Sequence, residues 1–133
     1  MDIGVPPPRV VSETTVVPAV RARLTPDSMR KISNFIDANL DSTIHIKHLA
    51  ALCNHSRYYF ARVFRQSFGE PPHAYIVRKR IERAKSMMLT GVTPLSQIAV
   101  ECGLVDQSHL TKLFRRWVGE PPGAWRRTRT TLL

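Results

Sequence analysis

The sequence is poor in the features that mark several large protein classes. It has two cysteines in 133 residues, Cys53 and Cys102. Two thiols so far apart make no disulfide framework, and reduced thiols fit the cytoplasm. No run of 18 apolar residues occurs, so no membrane-spanning helix is expected. Met1 to Val11 contains Asp2 and three consecutive prolines, and lacks the basic start and apolar stretch of a secretion signal. A cytoplasmic location is the expectation. No segment alternates apolar and polar residues strongly enough to suggest a strand.

Acidic residues are outnumbered two to one: 10 Asp+Glu stand against 20 Lys+Arg, a net charge of +10. The carboxylates are scattered, with no nucleophile–base arrangement and no glycine-rich phosphate loop, so neither an enzyme nor a cofactor site is expected. His48, Cys53 and His55 lie close together, as do Cys102 and His109, but neither spacing matches a usual zinc pattern. What the charge does imply is a polyanionic partner, either nucleic acid or an anionic membrane surface. Charge alone does not choose between them.

Residues 1–25 differ from the rest. They hold Pro6, Pro7, Pro8 and Pro18 beside Val-Val pairs and read as an extended, poorly ordered tail or linker. They carry 3 of the 20 basic and 2 of the 10 acidic residues, leaving 17 and 8 for residues 26–133. From Thr25 the pattern is helical. Thr25-Pro26-Asp27 offers a capping hydroxyl, a proline in the first turn and a carboxylate at the positive end. Met29, Ile32, Ile36 and Leu40 follow as a stripe. Further helices are expected at about 46–53, 56–68, 72–89, 95–102, 106–118 and 122–127. The fold class is therefore all-α, with about seven helices.

A repeat organises them. Phe64-Arg65-Gln66-Ser67-Phe68-Gly69-Glu70-Pro71-Pro72-His73-Ala74-Tyr75 returns fifty residues later as Phe114-Arg115-Arg116-Trp117-Val118-Gly119-Glu120-Pro121-Pro122-Gly123-Ala124-Trp125. Upstream, Leu49-Ala50 and Cys53 match Ile98-Ala99 and Cys102 at an offset of 49, so the second copy has one extra residue in its turn. Each copy reads as helix, tight turn, helix. Asn54 and Gly103 are the residue types that adopt left-handed dihedrals cheaply just past a helix. Ser56 and Asp106 suit the next N-cap, and Ala50 and Ala99 are small where two helices cross. These choices define a helix-turn-helix. The units fall at about 46–68 and 95–118, joined by a long helix at 72–89.

The second helix of each unit has a polar, basic face. It comprises Arg57, Tyr58, Ala61, Arg62 and Arg65 in the first unit, and Gln107, Ser108, Thr111, Lys112, Arg115 and Arg116 in the second. Arg and Lys can bond guanine edges, Gln suits adenine, and apolar groups meet the thymine methyl. A joining helix of eighteen residues spans roughly 27 Å. It could place the two helices near 34 Å apart, one turn of DNA. The expectation is a regulator that reads DNA sequence with two helices in successive major grooves. A non-specific architectural DNA- or RNA-binding module, held by phosphate contacts alone, is the alternative. Met87, Met88, Trp117 and Trp125 are expected in the core, with Tyr75 and Trp125 closing their units.

These residues resemble the AraC/XylS family of bacterial transcription regulators over roughly residues 27–128. The resemblance rests on Leu49-Ala50, Ser56, Arg62, Phe64-Arg65, Gly69, Pro72 and Tyr75 in the first unit. Arg80-Ile81-Glu82-Arg83-Ala84 carries it in the joining helix, and Ile98-Ala99, Gly103-Leu104, Ser108-His109-Leu110 and Phe114-Arg115 in the second unit. Leu104 and Leu110 stand where the family often has aromatics. The resemblance implies base contacts at Tyr58, Ala61, Arg62, Gln107, Ser108, Thr111 and Lys112. It implies phosphate contacts at Arg57, Arg65 and Arg115. It also implies double-stranded DNA as partner, binding as a single chain, and a contact with RNA polymerase. Only 25 residues precede the first helix, too few for the sensor domain of many members; a short stand-alone regulator and a piece of a longer one both fit.

Overall fold

The computed structural model describes residues 22–130. These form α1 (Pro26–Ala38), α2 (Ile46–Leu52), α3 (Arg57–Phe68), α4 (Pro72–Leu89), α5 (Leu95–Glu101), α6 (Gln107–Val118) and α7 (Pro122–Thr130), with no strand among the described residues. The architecture is all-α: two helix-turn-helix units, α2–α3 and α5–α6, joined by α4. Most of the expected tail, residues 1–21, lies outside the described residues. Of its last four residues, which are not helical, two are tied to α3. The Leu24 N–H donates to Ser67 Oγ at 2.7 Å, Arg23 donates to the Gln66 carbonyl, and Leu24 is buried.

Local chemistry sets the helix ends. The Thr25 hydroxyl accepts from the Ser28 N–H at 3.1 Å, Ser56 from Tyr59 at 3.2 Å, and Asp106 from His109 at 2.9 Å. Each satisfies an N–H that has no partner inside its helix. At the other ends Gly69 (φ +80°) and Gly119 (φ +99°) stop α3 and α6 in the left-handed region. The prolines that follow restart the chain as α4 and α7. The recurring glutamate and aromatic have a shared task. Glu70 accepts from Arg78 at 2.7 Å while Arg78 lies over the Tyr75 ring. Glu120 pairs with Arg129 at 3.7 Å while Arg129 lies over the Trp125 ring. In both units an arginine is thus held between a carboxylate and a ring.

Burial separates two cores. One gathers Leu24, Ile32, Ile36, Leu40, Leu49, Ala50, Phe60, Val63, Phe64, Tyr75 and Ile76. The other gathers Val77, Ile81, Ala84, Met88, Ile98, Ala99, Cys102, Leu104, Leu110, Phe114 and Trp125. α4 supplies both, its first turn to one core and the rest to the other, so the joining helix is a shared wall rather than a free spacer. Leu104 and Leu110 fill the second core where larger rings were an option. Cys102 is fully buried, and burial pushes its thiol up to about 11; Cys53 is only half-buried, and both are free thiols. Met88 and Trp125 are buried as expected, but Met87 is only half-buried. Trp117 departs further: it is 40% exposed, in an open groove of about 390 Å³ with His73, Ala74, Val77, Leu113 and Arg116. It sits three residues past Phe114, at the edge of the apolar stripe rather than in its centre.

Two arginines tie the halves to their loops. Arg80 of α4 donates to the carbonyls of Leu40 (3.2 Å) and Ser42 (2.6 Å), beyond the end of α1. Arg126 of α7 donates to those of Met88 (3.1 Å), in the last turn of α4, and of Gly91 (2.8 Å) and Thr93 (2.7 Å), just beyond it. Each satisfies carbonyls that a helix end and its loop leave unpaired. The turn of the second unit closes on the same place. A Cβ at Gly103 would overlap the Leu40 carbonyl oxygen and stand 3.0 Å from the Arg80 guanidinium. The end of α1, the middle of α4 and the α5–α6 turn therefore meet at one junction, which fixes one helix-turn-helix against the other.

Candidate nucleic-acid interface

α3 turns Phe60, Val63 and Phe64 inward with no exposure at all. Helical spacing then puts Arg57, Tyr58, Ala61, Arg62 and Arg65 on the far side, and all five are exposed. Tyr58 is 88% exposed, a large ring left almost bare in the first turn. α6 repeats the arrangement. Leu110 and Phe114 are fully buried, and Gln107, Ser108, Lys112, Arg115 and Arg116 are exposed; Thr111 is half-buried at the edge of the face. Fifty residues apart, Arg57 corresponds to Gln107, Tyr58 to Ser108, Ala61 to Thr111, Arg62 to Lys112 and Arg65 to Arg115. The two faces thus share a frame and differ in the groups they present.

Gln107, Ser108, Thr111 and Lys112 together line one open concavity of about 430 Å³. Arg57, Tyr58 and Ala61 line another of about 550 Å³, with His45, Ile46 and Lys47 from the start of α2. Arg62 and Arg65 lie further along α3 and Arg115 further along α6, beyond these linings. His45 and Lys47 were not singled out from sequence. The signal available was a lysine in the first turn of the first helix of a helix-turn-helix.

Electrostatics favours an anion on both faces. Neither α3 nor α6 contains a carboxylate. Among the described residues, Arg57, Arg62, Arg65, Lys112, Arg115 and Arg116 form no ion pair, whereas Asp27, Asp37, Glu70, Glu82 and Glu120 are paired on other surfaces. Arg83 of α4 is half-buried in a groove with Asp37, Leu40, Lys79 and Glu82. Among the described residues no group of three or more His, Cys, Asp or Glu is placed to hold a metal ion. None of their helices is long and apolar enough to cross a membrane.

A family model described as a helix-turn-helix domain matches residues 49–128. A probable transcriptional regulator of Photobacterium leiognathi, LumQ, is 34% identical over 95 residues, covering 71% of this chain. The chain spans only 38% of LumQ's length. Among solved structures, the DNA-binding domain of AdpA, crystallised with a target DNA, superposes with a TM-score of 0.70 at 25% identity, covering 76% of this chain and 91% of that one. A transcriptional regulator of Chromobacterium violaceum described as having an AraC-type DNA-binding domain has a TM-score of 0.71 at 22% identity, covering 77% and 92%, and shares the fold.

Proposed function

The chain belongs to the AraC-type helix-turn-helix family of DNA-binding transcription regulators, and we propose that it reads a specific DNA sequence with α3 and α6 in two successive major grooves. The observation that supports this most is the pair of equivalent, carboxylate-free faces, each backed by a buried stripe and held to the other by the Gly103 junction. An architectural protein needs only positive charge. Here the frame is kept while the groups differ: Tyr58, Ala61 and Arg62 on α3, and Gln107, Ser108, Thr111 and Lys112 on α6. Different groups read different bases, so the site need not be a palindrome. The eighteen residues of α4 span about 27 Å, of the order of the roughly 34 Å between grooves on one DNA face.

Arg62 suits a guanine, bonded through two N–H groups, and Gln107 an adenine; Lys112 gives a point charge for a guanine edge. Tyr58 offers ring area and a hydroxyl. Thr111, half-buried, presents little beyond its methyl or hydroxyl. Arg57, Arg65 and Arg115 hold phosphates, and His45 and Lys47 lie where α2 would approach the backbone beside Tyr58. The domain binds as a single chain, since both reading helices belong to it. Contact with RNA polymerase rests on the family resemblance alone.

Selection of bound duplexes from a random pool at about 0.15 M salt tests this. Two short enriched blocks about 10 base pairs apart are expected. One block would leave a single reading unit. No enrichment, with binding that collapses as salt rises, would make the protein an architectural binder. Arg115→Ala should weaken binding to all duplexes alike and lower the slope of log affinity against log salt by about one. An unchanged slope removes Arg115 from the phosphate contacts.

A further inference from the structure

The two turns differ by one residue, and the backbone shows which. In the first unit Asn54 (φ +59°) leaves α2, the His55 N–H donates to the Ala50 carbonyl at 3.0 Å, and Ser56 caps α3. In the second, Gly103 (φ +79°) leaves α5, the Leu104 N–H donates to the Ala99 carbonyl at 2.9 Å, and Asp106 caps α6. Leu104 therefore corresponds to His55, and Asp106 to Ser56. Val105 has no counterpart.

Val105 is also out of character for its setting. It is 79% exposed, while its neighbour Leu104 is 6% exposed and part of the second core. Packing does not call for valine there, and a turn ordinarily carries a small polar residue. Yet its backbone is held. The Val105 N–H donates to His109 Nδ1 at 3.2 Å, while the His109 N–H donates to Asp106 at 2.9 Å. The pair resembles a capping box shifted by one residue: Asp106 caps the N–H of His109 at the third helical position, and the His109 imidazole reaches back past the cap to the N–H of Val105. A bare apolar side chain is thus fixed at the N-terminal end of α6, directly before Asp106 and Gln107. In a reading helix the N-terminal residues are the ones that meet base edges.

We propose that Val105 is a specificity-determining residue: it contacts the C5-methyl of a thymine at the step just outside the bases met by Gln107 and Ser108. Valine has no hydrogen-bonding group, so a methyl is the only base-edge feature it can favour. His109 is the positioning residue that holds it through the backbone. The inference rests on α6 being a major-groove reader. It also assigns this thymine to the block read by α6 and none of this origin to the block read by α3, whose turn lacks the residue.

The test starts from the duplex selected by the intact protein and replaces each thymine of the α6 block, one at a time, by deoxyuridine. That exchange removes the methyl and leaves the base pair. At one position, next to the bases that Gln107 and Ser108 read, affinity should fall about three- to fivefold, the worth of one buried methyl-sized group. Val105→Ala should bind the thymine duplex more weakly by a similar factor and lose its sensitivity to deoxyuridine there, with the rest of the selected sequence unchanged. Val105 lies outside the core, so the variant should keep its helix content, checked by circular dichroism. Deoxyuridine without effect at every position, or an equal effect in Val105→Ala, overturns the assignment and leaves sequence reading by α6 standing. Failure of the intact protein to select any α6 block removes the reading itself, and the assignment with it.

Discussion

Gly103→Ala is expected to destabilise the protein by about 2–5 kcal/mol. Two causes add. Gly103 sits at φ +79°, where a side chain costs about 1–2 kcal/mol. The new Cβ would also overlap the Leu40 carbonyl oxygen, and a backbone atom cannot swing aside as a flexible side chain can. Forcing a methyl into such a contact costs typically about 1–3 kcal/mol. Gly69→Ala separates the two causes. Its φ is +80°, nearly the same, and a Cβ there meets nothing within 4 Å. That variant should lose only the conformational part, about 1–2 kcal/mol. Urea unfolding of the two variants beside the parent measures the difference directly. Equal losses would mean that the contact between the α5–α6 turn and the end of α1 contributes nothing to stability.

The same substitution reaches function. Leu40 accepts from Arg80, so displacing its carbonyl also loosens α4 from the first half. A protein that reads two grooves needs both reading helices held at one separation. Where Gly103→Ala still folds, each unit keeps its own face but the pair loses its fixed spacing. Affinity for two blocks in register should then fall further than affinity for either block alone.

Much of this frame was legible from local sequence, because its causes act within a few residues. Thr25, Ser56 and Asp106 cap helices through bonds to residues three positions on. Asn54 and Gly103 mark turns by their own dihedrals. Stripes such as Phe60, Val63 and Phe64 announce which face is buried. What could not be read acts across the fold. Arg80 and Arg126 carry no local pattern, and their carbonyl partners lie 33 to 40 residues away. The arginines that answer Glu70 and Glu120 are Arg78 and Arg129, which are not equivalent in the repeat, so the repeat concealed a shared cluster. Trp117 looked like a core residue because it is large and apolar; its exposure depends on where the α6 stripe ends against α4. Of the candidate contacts, the α3 set and the α6 set fell on the faces expected. The nearness of His45 and Lys47 to Tyr58 follows from how α2 crosses α3, which sequence spacing does not encode.

Arg62→Ala is expected to cost about 1–3 kcal/mol against the preferred duplex, roughly five- to 150-fold in affinity, and little against random DNA. The side chain is exposed, forms no ion pair among the described residues, and follows Ala61, which is too small to obstruct it. It therefore stabilises nothing within the fold that its removal would disturb, and stability should change by no more than about 0.5 kcal/mol. Its counterpart in the second unit is Lys112. The guanidinium can form two parallel bonds to a guanine, and an ammonium acts as a point charge. Arg62→Lys should consequently fall between parent and alanine on the preferred duplex and match the parent on random DNA. Competition binding with the selected and a scrambled duplex, at one salt concentration, measures all three proteins. Equal losses on both duplexes would make Arg62 a phosphate contact, and base reading by α3 would then rest on Tyr58 and Ala61 alone.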